Sequence, residues 1–69
     1  MVKGWAVNDP RGINVRTVSD TRRVAIVNWL VVEKGIGVTN SATDEIIERA
    51  WKELRGPSEV LEVSITYAA

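Results

Sequence analysis

The chain has no cysteine, no histidine and no phenylalanine, and a single methionine. Without Cys or His, a disulfide scaffold is ruled out and an ordinary zinc site has none of its usual ligands. The side chains that most often act as nucleophile or general base in hydrolytic enzymes are missing as well. Basic and acidic residues balance at nine each, so the chain lacks the strong cationic field of a non-specific nucleic-acid binder. Long apolar runs are also lacking: the richest, Val24 to Val32, is far short of the ~20 residues that cross a bilayer. No cationic start leads into an apolar segment, so neither secretion nor membrane insertion is expected and the cytoplasm is the expected location.

At 69 residues the chain has room for one domain, residues 1–69, and one core. Chains this short bury only ~60% of their unfolded surface, and one core then contributes rarely more than ~3 to 5 kcal/mol. With disulfides and metals set aside, association with another chain is the remaining supplement. Charge is unevenly distributed despite its zero sum. Lys3, Arg11, Arg16, Arg22, Arg23 and Lys34 outnumber Asp9, Asp20 and Glu33 in the first half, while the second half is acidic. Such asymmetry serves a charged partner or is neutralised within the fold.

Gly4 to Asn8 and Ile13 to Thr17 flank Asp9-Pro-Arg-Gly12, the chemistry of a hairpin turn. Alternation along the second run predicts Ile13 and Val15 facing the core, with Asn14 and Arg16 pointing the other way. Residues 20–34 follow as a helix, with Ser19-Asp-Thr21 offering an N-cap oxygen and an early acid. Val24, Ile26, Val27, Val31 and Val32 are β-branched, which keeps a buried strand open as the alternative. As a helix this segment is apolar nearly all round, so two surfaces must cover it. Residues 43–55 form a second helix, in which Ile46, Ile47, Ala50, Trp51 and Leu54 make one buried stripe. Its pairs Glu45–Arg49 and Glu48–Lys52 are spaced i,i+4 with the acid first. Gly56 and Pro57 stop it. Glu59 to Tyr67 then alternates with period 2, a strand with one wet face. The order β-β-α-α-β predicts an α+β fold, a three-stranded sheet packed on one face by two helices.

Little in this sequence points to chemistry. Asp44, Glu45 and Glu48 cluster at the start of the second helix, where acids are favoured by the dipole without any metal. Gly35 and Gly37 lack the remaining residues of a phosphate loop. No cofactor is expected, no small-molecule substrate is evident, and the chain is expected not to be an enzyme. Trp5, Trp29 and Trp51 each fall on an apolar side and are expected in the core. The candidate interaction surface is the excess apolar face of the first helix, Val24, Val27, Asn28 and Val31, which would take a protein partner or a second copy of the chain. The candidate nucleic-acid contacts are Asn14, Arg16, Arg22 and Arg23, with Arg suited to bidentate phosphate binding.

The run Asn8 to Ser19, followed by Thr21-Arg-Arg and Ala25 to Leu30, resembles a family of short uncharacterised proteins encoded by phages and prophages, over about residues 8–55. That resemblance implies a phage-associated accessory role and transfers no site residues. The strand Ile13 to Thr17 and the two helices also resemble, in their order, the ribbon-helix-helix DNA-binding proteins, whose paired strands enter the major groove. By position this would set Asn14 and Arg16 against base edges and make Ser41 or Thr43 the cap of the second helix. The long interhelix connection and the flanking strands depart from that pattern.

Overall fold

A computed structural model describes residues 2–37 and 42–65. Along the chain come β1 (Val2–Asp9), β2 (Gly12–Ser19), α1 (Arg22–Lys34), α2 (Asp44–Leu54) and β3 (Glu59–Ile65). All pairing is antiparallel, in the order β2-β1-β3, with β1 in the centre. The fold is α+β in the expected element order; the Val24 to Val32 run is helix rather than strand, in a helix that begins at Arg22 rather than at residue 20. Thr21 caps α1, its Oγ1 accepting from the Val24 N–H. At the other end Gly35, at φ 64, adopts the left-handed conformation that glycine takes without a Cβ penalty. Asp20 stands before the cap, so the first turn of α1 has no acid. Thr43 caps α2 through Ile46. Ser41 and Tyr67 lie outside the described residues.

Ala25, Ile26, Val27, Trp29 and Leu30 are the buried residues of α1, which spans the two surfaces the sequence called for. One is the sheet, through Val7 and the partly buried Val60. The other is α2, through Ile47 and Trp51, all in one cluster. Trp29 and Trp51 meet edge to face, with centroids 5.0 Å apart and planes at 80°, the preferred geometry for aromatic pairs. Trp5 is half-buried and lies outside this cluster, against expectation. Ile46 also departs from the predicted stripe, since the buried side of α2 is centred on Ile47 and Trp51 and leaves Ile46 exposed. No helix of the described residues is long and apolar enough to cross a membrane.

The hairpin is irregular. Val7 pairs with Asn14 and Trp5 with Ser19, so two steps along β1 face five along β2. The surplus residues form a bulge, and Thr17 stabilises it from inside. Its buried Oγ1 accepts from the Val7 N–H at 2.8 Å and donates to the Asn14 carbonyl at 2.7 Å. Thr17→Val keeps the side-chain shape but leaves that buried N–H without an acceptor, which costs ~1 to 3 kcal/mol. Thr17→Ser keeps the oxygen and loses about 0.8 kcal/mol for one methyl group. Urea unfolding of the two variants should therefore rank valine well below serine in stability.

Candidate interaction surface

Side chains of directly paired residues in a sheet share a face, and neighbours along a strand alternate. Val7 belongs to the helix-side core. Its partners Asn14 and Val60 therefore point to the helices too. The Asn14 Nδ2 confirms this by donating to Glu33 Oε1 of α1 at 2.7 Å. The paired residues of opposite parity point away: Val2, Gly4, Ala6 and Asn8 on β1, Leu61, Val63 and Ile65 on β3, and Ile13 on β2. A Cβ built on Gly4 would lie 2.7 Å from Ile65 Cδ1, which places the Ile65 side chain over Gly4 on that same face.

The expected orientation of β2 is thus inverted. Ile13 and Val15 are 45% and 77% exposed, and the inward residues are Asn14 and Thr17. Two polar side chains can face inward because each is satisfied there, Asn14 by Glu33 and Thr17 by the backbone of Val7 and Asn14. The apolar row of β3 shows the same inversion, since Val60 of the opposite parity is the residue that packs against the core. An antiparallel sheet with one covered face ordinarily turns polar side chains to the other. Here the face that no described residue covers is aliphatic across all three strands, with Asn8 and its partner Glu59 at one margin.

The predicted helix surface divides. Val27 is buried at 5% exposure, held in the core between sheet and α2, so it cannot meet a partner. Val24 and Asn28 are half-buried and Val31 is exposed, a narrow strip along the outer side of α1.

The predicted nucleic-acid contacts are drawn into the fold. Arg22 pairs with Glu48, and Arg23 pairs with Asp44 through Nε at 2.6 Å and donates to the Ala42 carbonyl. Both contacts tie the start of α1 to the start of α2. Glu48 therefore meets Arg22 rather than Lys52, while Glu45 and Arg49 do pair within the helix at 3.4 Å. Asp44, Glu45 and Glu48 thus each face a different arginine. Asn14 is committed to Glu33. Arg16 is exposed, and among the described residues it makes no ion pair.

A polar node joins the hairpin turn to the end of α1. The Arg11 guanidinium lies 3.4 Å from Asp9 Oδ2 and 3.2 Å from Glu33 Oε2, and the Arg11 backbone N–H donates to Asp9 Oδ1 at 2.9 Å. Hydrogen bonding to Asp9, then the charges of Asp9 and Glu33, raise the guanidinium pKa further above its already high value. A cleft of about 410 Å³ opens beside this node, lined by Arg11, Asn14, Arg16 and Glu33 among others. Most of its polar groups already serve one another. No group of three or more His, Cys, Asp or Glu among the described residues is placed to hold a metal.

No family model, curated protein or solved structure matches the chain. The reading of this surface therefore rests on its own chemistry.

The Arg22–Glu48 pair is partly exposed, so its coupling falls in the surface range of ~0.2 to 1 kcal/mol. A double-mutant cycle with Arg22→Ala and Glu48→Ala should return a value in that range at low salt. Repeating the cycle in concentrated salt should shrink it toward zero.

Proposed function

We propose that this protein is a non-enzymatic interaction module that docks through the open face of its sheet. The observation that carries this reading is the inverted polarity of the strands. Three of the exposed large hydrophobic residues, Val2, Ile13 and Leu61, lie on one face with Val63 and Ile65 beside them. Singly exposed aliphatic residues are ordinary, but a contiguous patch that no described residue covers marks a contact surface. The strip of Val24, Asn28 and Val31 on α1 is a narrower second contact on the opposite layer. An accessory role of the kind suggested by the phage-like run over residues 8–55 accords with a small docking protein.

Nucleic-acid binding is the weaker reading, because Asn14, Arg22 and Arg23 are engaged by Glu33, Glu48 and Asp44. Arg16 alone of that set is left to offer a phosphate contact.

A fluorescent apolar probe such as anilinonaphthalene sulfonate tests the docking face. The folded protein at high dilution should bind it, and Ile13→Lys together with Leu61→Lys should abolish most of the signal. Val31→Lys should leave most of it in place. Val15→Lys alone should change stability by less than about 0.5 kcal/mol, as befits a residue outside the core. Dye binding unchanged in the sheet-face variant would remove this surface from consideration.

A further inference from the structure

We infer that the outer edge of β3 is a docking site for an extended segment of a different protein, added as a fourth strand with a Lys or Arg opposite Glu62. The site goes beyond the open face of the sheet: it consists of main-chain groups at the rim, and the aliphatic row of β3 is only its flank.

Which main-chain groups point outward follows from one hydrogen bond. The Val7 N–H donates to Thr17 Oγ1 of β2, so it points away from β3. In an antiparallel ladder, a residue turned away from its partner belongs to a non-hydrogen-bonded pair, and the two kinds of pair alternate. Val60, the partner of Val7, therefore turns its own N–H and C=O away from β1, and by alternation so do Glu62 and Ser64. Leu61 and Val63 bond to β1 instead. The pattern runs through seven consecutive pairs, from Asn8↔Glu59 to Val2↔Ile65, without a register shift. β3 is the outermost strand on its side, and α1 is the only helix whose backbone approaches it. Among the described residues no strand pairs with its outer side.

The two edges of the sheet differ. β2 is bulged, and its Arg16 N–H is already taken by Asn14 Oδ1 at 3.1 Å. Bulges, prolines and lysines are the devices that keep an edge from pairing. β3 has no bulge, no proline and no lysine. Such an edge accepts an extended strand, a mode in which main-chain bonds supply affinity and alternate side chains supply specificity.

Charge selects the occupant. Leu61, Val63 and Ile65 flank the edge on the open face, so the residues of an added strand that lie beside them are aliphatic. Glu62 stands on the other face, half exposed and 3.6 Å from Lys3 of β1. A second copy of β3, in the antiparallel register that uses the whole strand, would set Glu62 against Glu62. Like charges directly opposite destabilise a strand pair, whereas a cation there is favoured.

Amide hydrogen exchange of the intact chain, read by NMR, tests this. In the free protein the amides of Val60, Glu62 and Ser64 should exchange fast, while those of Leu61 and Val63 are protected. The probe is the peptide Val-Thr-Val-Lys-Val-Thr-Val, N-methylated on its valines, whose remaining N–H groups face β3 when its Lys stands opposite Glu62. Titrated to about 1 mM, a range that detects weak recognition, it should slow exchange of the three edge amides severalfold. The same peptide N-methylated on its Thr and Lys residues should not. Glu62→Lys should weaken binding of the first peptide severalfold, and Glu in place of the peptide's Lys should restore binding to that variant. Edge amides already protected in the free chain overturn the inference, as does protection that rises with protein concentration, since a second copy then fills the edge. No protection by the first peptide, equal protection by both, or binding indifferent to Glu62→Lys overturns it too. The dye result on the open face is independent of each of these outcomes.

Discussion

Helix α1 touches every other element of the fold, and each of the others depends on it for cover. A helix normally presents one apolar side to a core and one polar side to water. This one presents Ile26 and Leu30 to the shared core and Trp29 to Trp51, while Val27 completes the same cluster. A single element covered on two sides lets a chain of this length close a core without disulfide or metal. The ion pairs from Arg22 and Arg23 to α2 lie at its beginning, and the Arg11–Glu33–Asn14 node lies at its end. Both ends of the helix are thereby tied by charge, and its middle by apolar contact.

Spending the apolar side of α1 on the interior has a cost on the far side of the sheet. Helix α1 covers one face of three short strands, with α2 packed on its far side, and nothing among the described residues covers the other face. The strands nonetheless place their longer aliphatic rows on that uncovered side. Asn14 and Thr17 take inward positions that would ordinarily be aliphatic, and the bulge in β2 makes this tolerable by giving Thr17 a backbone donor to bind. The sheet is thus built as though both of its faces were to be dry.

Local signals in the sequence specified the elements well. The Asp9-Pro-Arg-Gly12 turn, the cap at Thr21, the i,i+4 pattern after Thr43 and the stop at Gly56-Pro57 each act within a few residues, so they can be read without a fold. Resolving residues 20–34 as a helix depended on those caps as much as on composition, since the β-branched residues favour a strand. What could not be read was which side of each strand faces inward. Period 2 defines two faces and leaves them unlabelled. Ile13 and Val15 were assigned to the core on hydropathy, whereas the bulge and the Asn14–Glu33 bond decide otherwise. Partners across elements were equally hidden: Glu48 has Lys52 at the favoured spacing along the helix, yet Arg22 of another element reaches it. The apolar excess of residues 24–32 was legible as an excess, but its surplus is mostly absorbed internally, and the larger open surface lies on the sheet.

The three indoles sort into two optical environments. Trp29 and Trp51 share an edge-to-face contact, and each has a cation near its ring, Lys34 at 5.5 Å and Arg55 at 6.0 Å. Trp5 sits on the sheet, apart from that cluster. Coupled transitions of the interior pair give a near-ultraviolet dichroic signature that exists only while the two helices are in register. Trp5 has no aromatic partner among the described residues and adds nothing to that coupled band. Loss of the band therefore reports separation of the two helices, with no label attached.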